Sequence, residues 1–288
     1  MPKYTSFNPS LKQNSKSNSS IFSTENTITM GILNITEDSF FDGGEYNSEE
    51  AIVERCKKML DEGASIIDIG AQSSRPGASL IQANDEIKKL VPIIKLLKSK
   101  FPQIIISIDT FWAKTAEECI QNGADIINDI SAGEMDIKMI DTIAQHNVPY
   151  IIMHMKGNPK NMQNNPTYIN VVEEVFNYFD DKVKILKEKG INNIIIDPGF
   201  GFGKTLAHNY QLLNNLEHFK NLNIPILIGT SRKSMIYKLL DTDPKNALNG
   251  TSITNTIALQ KGANILRVHD VKEAMECIKI TTFAKNLS

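Results

Sequence analysis

The residues of this sequence that carry chemistry fall just after short β-branched runs. They are Asn34, Asp109, Asn128, His154, Asp197, the group Ser231-Arg232-Lys233-Ser234, and Arg267 with His269 and Asp270; Gln72, Ser73, Ser74 and Arg75 follow one further run. Two chemistries are mixed among them. Ser74, Arg75, Arg267 and His269 are donors suited to a cluster of anionic oxygens such as a diphosphate. Asp109, Asn128 and Asp197 offer acceptors and an amide, which suit a planar heterocycle with an amino group beside a ring N–H. Lys233 is a movable cation between these two sets. Asn34 adds a neutral carbonyl oxygen, suited to a hard cation such as Mg2+ that keeps most of its waters. The set reads as a site for a flat nitrogen heterocycle at one end and a diphosphate at the other.

The densest stretch is NIIIDPGFGFGKT, Asn193–Thr205. An apolar run bounded by Pro and Gly reads as a buried strand, with Asp197 at its carboxyl end. The alternating glycines that follow are expected to let backbone approach a flat ligand closely. Gly203-Lys204-Thr205 ends like a phosphate-binding loop, but such a loop needs Gly five positions before Gly203. Pro198 stands there and lacks the N–H a phosphate cradle uses, so that reading is set aside. Blander readings stand beside the functional ones. Any single Asp here would serve as a helix cap, His154 and His269 as satisfied core histidines, Arg232 as half of a structural ion pair, Met153 as barrel wall, and Phe41 and Phe200 as loop anchors.

The elements that must position these residues alternate regularly from Asn26 onward. Strands are expected at Thr27–Leu33, Ser65–Ile69, Ile104–Ile108, Asp125–Asn128, Pro149–Met153, Asn193–Ile196, Ile224–Ile228 and Asn264–Val268. Helices are expected near Ser48–Glu62, Gln82–Lys100, Trp112–Asn122, Met135–His146, Tyr168–Lys189, Leu206–Leu216, Asn246–Lys261 and Val271–Phe283. The fifth helix shows the period well: Val171, Val172, Val175, Phe176, Phe179, Val183 and Leu186 make one apolar face. Gly63, Gly123, Gly190 and Gly262 each follow a helical pattern, where a left-handed C-cap belongs. Strand–helix alternation implies a parallel sheet, and eight units in about 260 residues fit a closed (β/α)8 TIM barrel. A doubly wound open sheet is the rival. A barrel gathers its functional groups on the rim at the strands' carboxyl ends, and polar residues stand there after every strand.

The 288 residues hold 31 basic and 33 acidic side chains, a net charge of −2, which points away from nucleic-acid and membrane surfaces. With 41% hydrophobic residues the chain can fill a core. Cys56, Cys119 and Cys277 lack metal-ligand spacing and read as reduced thiols of a cytoplasmic protein. No apolar run approaches the roughly 18–20 residues of a membrane span. Residues 1–25 are polar and serine-rich and read as a flexible N-terminal tail; residues 26–288 read as one barrel domain.

Taken in order, MGILNITEDSFFDGG (Met30–Gly44), GAQSSRPGA (Gly70–Ala78), SIDT (Ser107–Thr110), NDIS (Asn128–Ser131), MHMKGNP (Met153–Pro159), DPGFGFGKT (Asp197–Thr205), GTSRKS (Gly229–Ser234) and RVHDV (Arg267–Val271) resemble the dihydropteroate synthase family. The resemblance spans the chain from about Thr27 to the C-terminus. It implies a (β/α)8 barrel that condenses 6-hydroxymethyl-7,8-dihydropterin diphosphate with 4-aminobenzoate, giving 7,8-dihydropteroate and diphosphate. Carried over by motif, Asp109, Asn128, Asp197 and Lys233 would hold the pterin, with Met153 against its face. Asn34, Ser74, Arg75, Arg267 and His269 would hold the diphosphate, Asn34 also touching Mg2+. Phe40, Pro76, Phe202, Lys233 and Ser234 would frame the aminobenzoate, its carboxylate near a helix opening at Ser234. Catalytic roles would fall to Asn34, Asp109, Asp197, Lys233, Arg267 and His269, and a homodimer is implied.

Three departures stand out, one of them an N-terminal tail more polar than the family's opening hairpin. Glu37 replaces the family's usual Pro, and Gln72-Ser73-Ser74 replaces Glu-Ser-Thr. The expected chemistry is a dissociative displacement, with the segments Asn34–Gly44 and Gln72–Gly77 closing over the site to exclude water. Rival readings are a pterin-binding barrel that no longer catalyses, favoured only by Glu37 and Gln72, and a pterin-dependent methyltransferase. The GTSRKS and RVHDV segments favour the synthase, because a methyl donor has no diphosphate to grip.

Overall fold

The structure is a computed structural model that describes residues 22, 26–35, 49–72, 80–157, 162 and 165–287. Its strands are β1 (Ile28–Asn34), β2 (Ile66–Gly70), β3 (Ile106–Asp109), β4 (Ile126–Asp129), β5 (Tyr150–Met153), β6 (Ile194–Asp197), β7 (Leu227–Ile228) and β8 (Ile265–Val268). They form one parallel sheet in the order β6-β5-β4-β3-β2-β1-β8-β7. The two ends meet: Ile196 bridges Ile226 in parallel, and the Ile196 amide donates to the Pro225 carbonyl at 3.0 Å. The sheet thus closes on itself, as the eight-fold alternation predicts, and the open-sheet rival is excluded.

The helices are α1 (Glu49–Asp61), α2 (Ala83–Lys100), α3 (Ala113–Gln121), α4 (Met139–His146), α5 (Val171–Glu188), α6 (Leu206–Asn214), α7 (Ser234–Tyr237), α8 (Leu248–Gln260) and α9 (Val271–Lys285). On α5 the buried residues are Val171, Val175, Phe179, Val183 and Leu186, spaced three or four apart on one face. Asn170 opens that helix by accepting from the amides of Val172 and Glu173. The glycines at 63, 123, 190 and 262 all have positive φ, as expected of C-caps. Two expectations needed correction. The fourth helix begins at Met139 rather than Met135, because 129–134 is a turn held by the Asp129 carboxylate, which accepts from the Ser131 and Gly133 amides. The segment expected to end the sixth helix continues instead as a 3-10 turn over Leu216–Leu222.

The core has two compartments. One lies between sheet and helices. The other is the barrel floor: Met30, Ile66, Ile126, Ile151, Ile195, Leu227 and Ile265 form one buried cluster drawn from seven strands. Phe22, the one described residue of the first 25, packs against this floor. Side chains two residues apart share a face of a strand. One step up from the floor the inward face therefore carries Asp68, Asn128, Met153, Asp197, Gly229 and Arg267, and on β3 it carries Ser107 and then Asp109. A dry apolar plug below and a polar layer above follow from the same two-residue period.

Candidate active site

The polar layer is tied together across the barrel mouth. Arg267 on β8 donates from Nε to Asp68 Oδ2 at 2.7 Å and from Nη2 to Asp109 Oδ2 at 2.8 Å, so one guanidinium bridges two carboxylates on neighbouring strands. Asn128 Nδ2 donates to the same Asp68 oxygen at 3.2 Å. Asp68 is fully buried; its Oδ1 and the Oγ of Ser107, its register partner on β3, have no hydrogen-bond partner among the described residues. Burial pushes Asp109 up to about 7, with Arg267 opposing and Asp68 adding to the rise. Those opposing influences leave Asp109 able to accept from a ligand N–H or to share its proton.

Asp197, at the end of β6, accepts from the Gly199 amide at 2.8 Å. Burial raises its pKa, and Lys233 is the strongest opposing charge. Lys233 in turn donates to the Phe200 carbonyl at 2.6 Å and lies 4.6 Å over the Phe202 ring. Burial brings it down to about 8 against the pull of Asp197. Met153 and Phe202 belong to one apolar cluster with Phe111, Ile130 and Met162. That cluster gives the mouth an apolar wall beside its hydrogen-bonding groups.

His269 follows β8 and shares Nδ1 with Ser231 Oγ at 3.0 Å, while its carbonyl accepts from Arg55 at 2.7 Å. Burial, reinforced by Arg267, lowers it to about 4. In the ligand-free site it is therefore neutral at pH 7 and offers a hydrogen bond, and an anion bound beside it would favour its protonation. Arg232 makes the bidentate pair with Asp270 expected of a structural arginine, at 2.9 and 2.6 Å. Ser234 opens α7, which is a single turn. The helix-terminus argument for a carboxylate there weakens accordingly, since few peptide dipoles are aligned, and the hydroxyl is what Ser234 offers.

Asn34 closes β1 and is exposed; a Cβ built at Gly70 would lie 3.6 Å from its Oδ1 and 3.3 Å from Asp109 Cβ. The missing side chain leaves a cradle between an amide oxygen and a carboxylate on the rim. This suits a hard cation taking one or two protein oxygens and completing its shell with water and phosphate. Among the described residues no three acidic, His or Cys side chains form a metal cluster, so a cation would depend on the bound anion for most of its ligands. Of the expected site residues, Phe40, Ser74, Arg75 and Pro76 lie outside the described residues, as does Glu37. Gln72 is described. Its Oε1 accepts from the Ile81 amide at 2.8 Å and its Nε2 donates to the Ile81 carbonyl at 3.0 Å.

The glycine-rich stretch does something other than expected. A Cβ at Gly199 would fall 2.0 Å from the His154 carbonyl oxygen, and one at Gly203 would fall 2.5 Å from that of Lys156. These glycines admit the backbone of the loop after β5, and only Gly201, whose Cβ would meet Lys233 Cδ at 3.4 Å, faces the mouth. Lys204 is no phosphate ligand: its Nζ turns inward onto carbonyls, and Thr205 caps α6 in a capping box with His208. His154 is the satisfied core histidine of the bland reading, 7% exposed with Nδ1 on Lys204. Sequence reasoning missed Asp68 and gave Ser231 and Lys204 no specific role. Asp68 was legible in principle, because Ile66, Asp68 and Gly70 share a strand face.

The profile of the pterin binding enzyme family matches residues 30–269. A dihydropteroate synthase of Synechocystis sp. is 44% identical over 257 residues, covering 88% of this chain and 89% of that one. The crystal structure of the Yersinia pestis dihydropteroate synthase with a sulfonamide drug superposes with a TM-score of 0.87 at 38% identity, covering 91% of this chain and 96% of that one. Dihydropteroate synthase from Xanthomonas albilineans in complex with 7,8-dihydropteroate gives a TM-score of 0.81 at 32% identity, covering 91% and 95%. With its closed barrel and its rim of acceptors and cations, the chain belongs to the pterin binding enzyme family, among the dihydropteroate synthases.

Proposed function

We propose that the barrel mouth joins 6-hydroxymethyl-7,8-dihydropterin diphosphate to 4-aminobenzoate, a transferase reaction yielding 7,8-dihydropteroate and diphosphate. The observation that carries this reading is the inward layer one step above the apolar floor. There Asn128, Asp197 and Arg267 converge from three strand ends, with Asp109 one step higher on β3 and Lys233 reaching in from the start of α7. In this reading Asp109 and Asp197 accept from the pterin's ring N–H and amino groups, and Asn128 both donates and accepts. Met153 lies against the ring face. Such a site fits a fused-ring amine because its donors and acceptors are pre-oriented by one another and need little rearrangement.

In the reaction the bond from the pterin's exocyclic methylene to oxygen breaks, and its electron pair leaves with the diphosphate. The carboxylates of Asp109 and Asp197 favour the cation left on the ring. The aminobenzoate nitrogen, neutral at pH 7, gives its lone pair to the methylene and then loses a proton. Arg267 reaches the anion by exchanging one of its two carboxylate partners for phosphoryl oxygen, and His269 contributes an N–H. Asn34 would hold Mg2+, which supplies further charge neutralisation at the diphosphate. Phe202, Lys233 and Ser234 frame the second substrate, together with Phe40 and Pro76; Ser74 and Arg75 complete the anion site.

The chain pairs with a second copy through the face of α8 and α9. Ile253, Ile280 and Phe283 expose large apolar side chains there, on either side of the contact between Cys277 and Ser252. Such a face favours burial against a like surface. Light scattering on the wild type and on Phe283→Glu tests this. The three cysteines are buried free thiols, which suits a reducing cytoplasm. No described helix is long and apolar enough to cross a membrane.

One experiment separates the synthase from a binding-only barrel: release of diphosphate with both substrates and Mg2+. The synthase releases diphosphate only when aminobenzoate is present, and in equal amount to dihydropteroate. Pterin binding with no release would establish the binding-only reading.

A further inference from the structure

Lys204 follows the last glycine of the stretch after β6. It is 4% exposed, and burial pulls its pKa down to about 7 against the opposing charge of Asp197. Its Nζ lies 2.9 Å from the Gly199 carbonyl, 3.0 Å from that of Phe202, 3.2 Å from that of His154 and 3.0 Å from His154 Nδ1. The three carbonyls present lone pairs that match the three donors of an ammonium, and His154 Nδ1 adds a fourth acceptor when the ring is the Nε2–H tautomer. Burying such a charge is costly, and an apolar side chain of the same length would pack there at lower cost. What the ammonium adds is direction: three carbonyls from two loops must point at one atom.

Those loops matter because of what else they hold. The Gly199 amide donates to Asp197, the Phe200 carbonyl accepts from Lys233, and the Phe202 ring lies under the Lys233 ammonium. Asn209 adds a clamp from α6 by accepting from the Gly201 amide at 2.7 Å. Gly199 and Gly203, with φ of +73° and +61°, let the loop lie directly on the backbone after β5. We propose that Lys204 is a positioning residue for the pterin end of the site, pinning the 199–203 loop to the end of β5 so that the Phe200 carbonyl and the Gly199 amide hold Lys233 and Asp197 in place.

This inference rests on the reading of Asp197 and Lys233 as pterin ligands, but its first test does not. Lys204→Met keeps the stem and removes the charge. In the ligand-free protein, lysine side-chain NMR follows the titration of Lys233. The groups that face Lys204 are His154 after β5, Asp197 after β6 and Lys233 before α7, with Lys156 and His208 further out. Lys233 titrates near 8 in the wild type, because burial beneath the loop that Lys204 pins lowers it, against the pull of Asp197 and with Arg267 adding to the drop. In the variant it moves up toward the ordinary lysine range.

The second readout is functional. Pterin affinity falls on the order of tenfold or more, as expected for ligating groups displaced by a fraction of an ångström. The acid limb of kcat/KM moves to higher pH, since Lys204 no longer opposes protonation of Asp197. If Lys204→Met does not fold, Lys204→Gln, which keeps two N–H donors, carries the same readouts. A folded variant that loses thermal stability but keeps the wild-type Lys233 titration, pterin affinity and pH profile overturns the proposal. A wild type that binds no pterin, yet shows the Lys233 shift on substitution, overturns the functional reading and leaves the pin standing.

Discussion

Asp68 is the residue on which the site's electrostatics turn, and Asp68→Asn is the sharpest perturbation of it. The side chain keeps its size and one oxygen but loses the charge that faces Arg267 Nε at 2.7 Å and Asn128 Nδ2 at 3.2 Å. Asp68 is 0% exposed, so solvent does not screen the loss. Hydrogen bonds to a charged group contribute about 1.5–3 kcal/mol each. Arg267 retains Asp109 at 2.8 Å, so the net cost to folding should be about 2–3 kcal/mol rather than the 3–5 kcal/mol order of a fully broken buried pair. For a domain of this size that is a drop of roughly 4–6 °C in Tm. Arg267 then swings toward Asp109 and Asn128 loses its anchor, which should weaken pterin binding by about tenfold, equivalent to ~1.4 kcal/mol. Urea unfolding and calorimetric titration with a pterin measure the two effects. If Asp68→Asn matches the wild type in both, Asp68 does not organise Arg267 and Asn128, and the polar layer described here is wrongly assembled.

Three further outcomes follow from the same geometry. Gly199→Ala should cost more than about 3 kcal/mol, because its Cβ would sit 2.0 Å from the His154 carbonyl. Gly190→Ala, with φ +84° but nothing within 4 Å, should cost only about 1–2 kcal/mol; equal Tm losses in the two would remove the backbone-contact argument. His154 is 7% exposed and held down to about 2 by burial and Lys204, so between pH 6.5 and 2 the unfolded chain binds the extra proton. Its contribution is present above pH 6.5 and falls as pH drops, by about 2 kcal/mol at pH 5; His154→Gln should flatten the difference between urea midpoints at pH 7 and pH 5 by that amount, and an unchanged difference would refute the assignment. Gln72→Glu removes the donor to the Ile81 carbonyl and sets an anion against it. It should lower stability by about 1–3 kcal/mol, and a stabilised variant would show that the amide clasp is not formed.

The barrel was legible because its signal is repetitive: each apolar run ends in a polar residue, four of the helical patterns end in a glycine, and no single unit had to be read correctly alone. The rim residues were legible for the same reason, since a strand's carboxyl end is marked by where the apolar run stops. Asp68 was not, because it sits inside an apolar run, IIDIG, where a lone carboxylate looks like an interruption rather than an inward-facing member of a period-two set. The phosphate-loop reading of Gly203-Lys204-Thr205 was rightly set aside, but that left Lys204 with no role. Its partners are backbone carbonyls, which no sequence pattern announces. The charge state of His269 was likewise beyond composition, since burial and Arg267 set it. Gly199 and Gly203 were rightly read as places of close approach, but what approaches is the neighbouring loop after β5, a contact decided by tertiary packing.

The most direct test of the central claim is a calorimetric titration of 6-hydroxymethyl-7,8-dihydropterin diphosphate into the wild-type chain and into Asp197→Ala. A wild type that binds in a one-to-one ratio, beside a variant weakened by on the order of a hundredfold (~2.7 kcal/mol), is the predicted result. Equal affinity in the two would mean that the pterin does not lie on the acceptors at the mouth of the barrel.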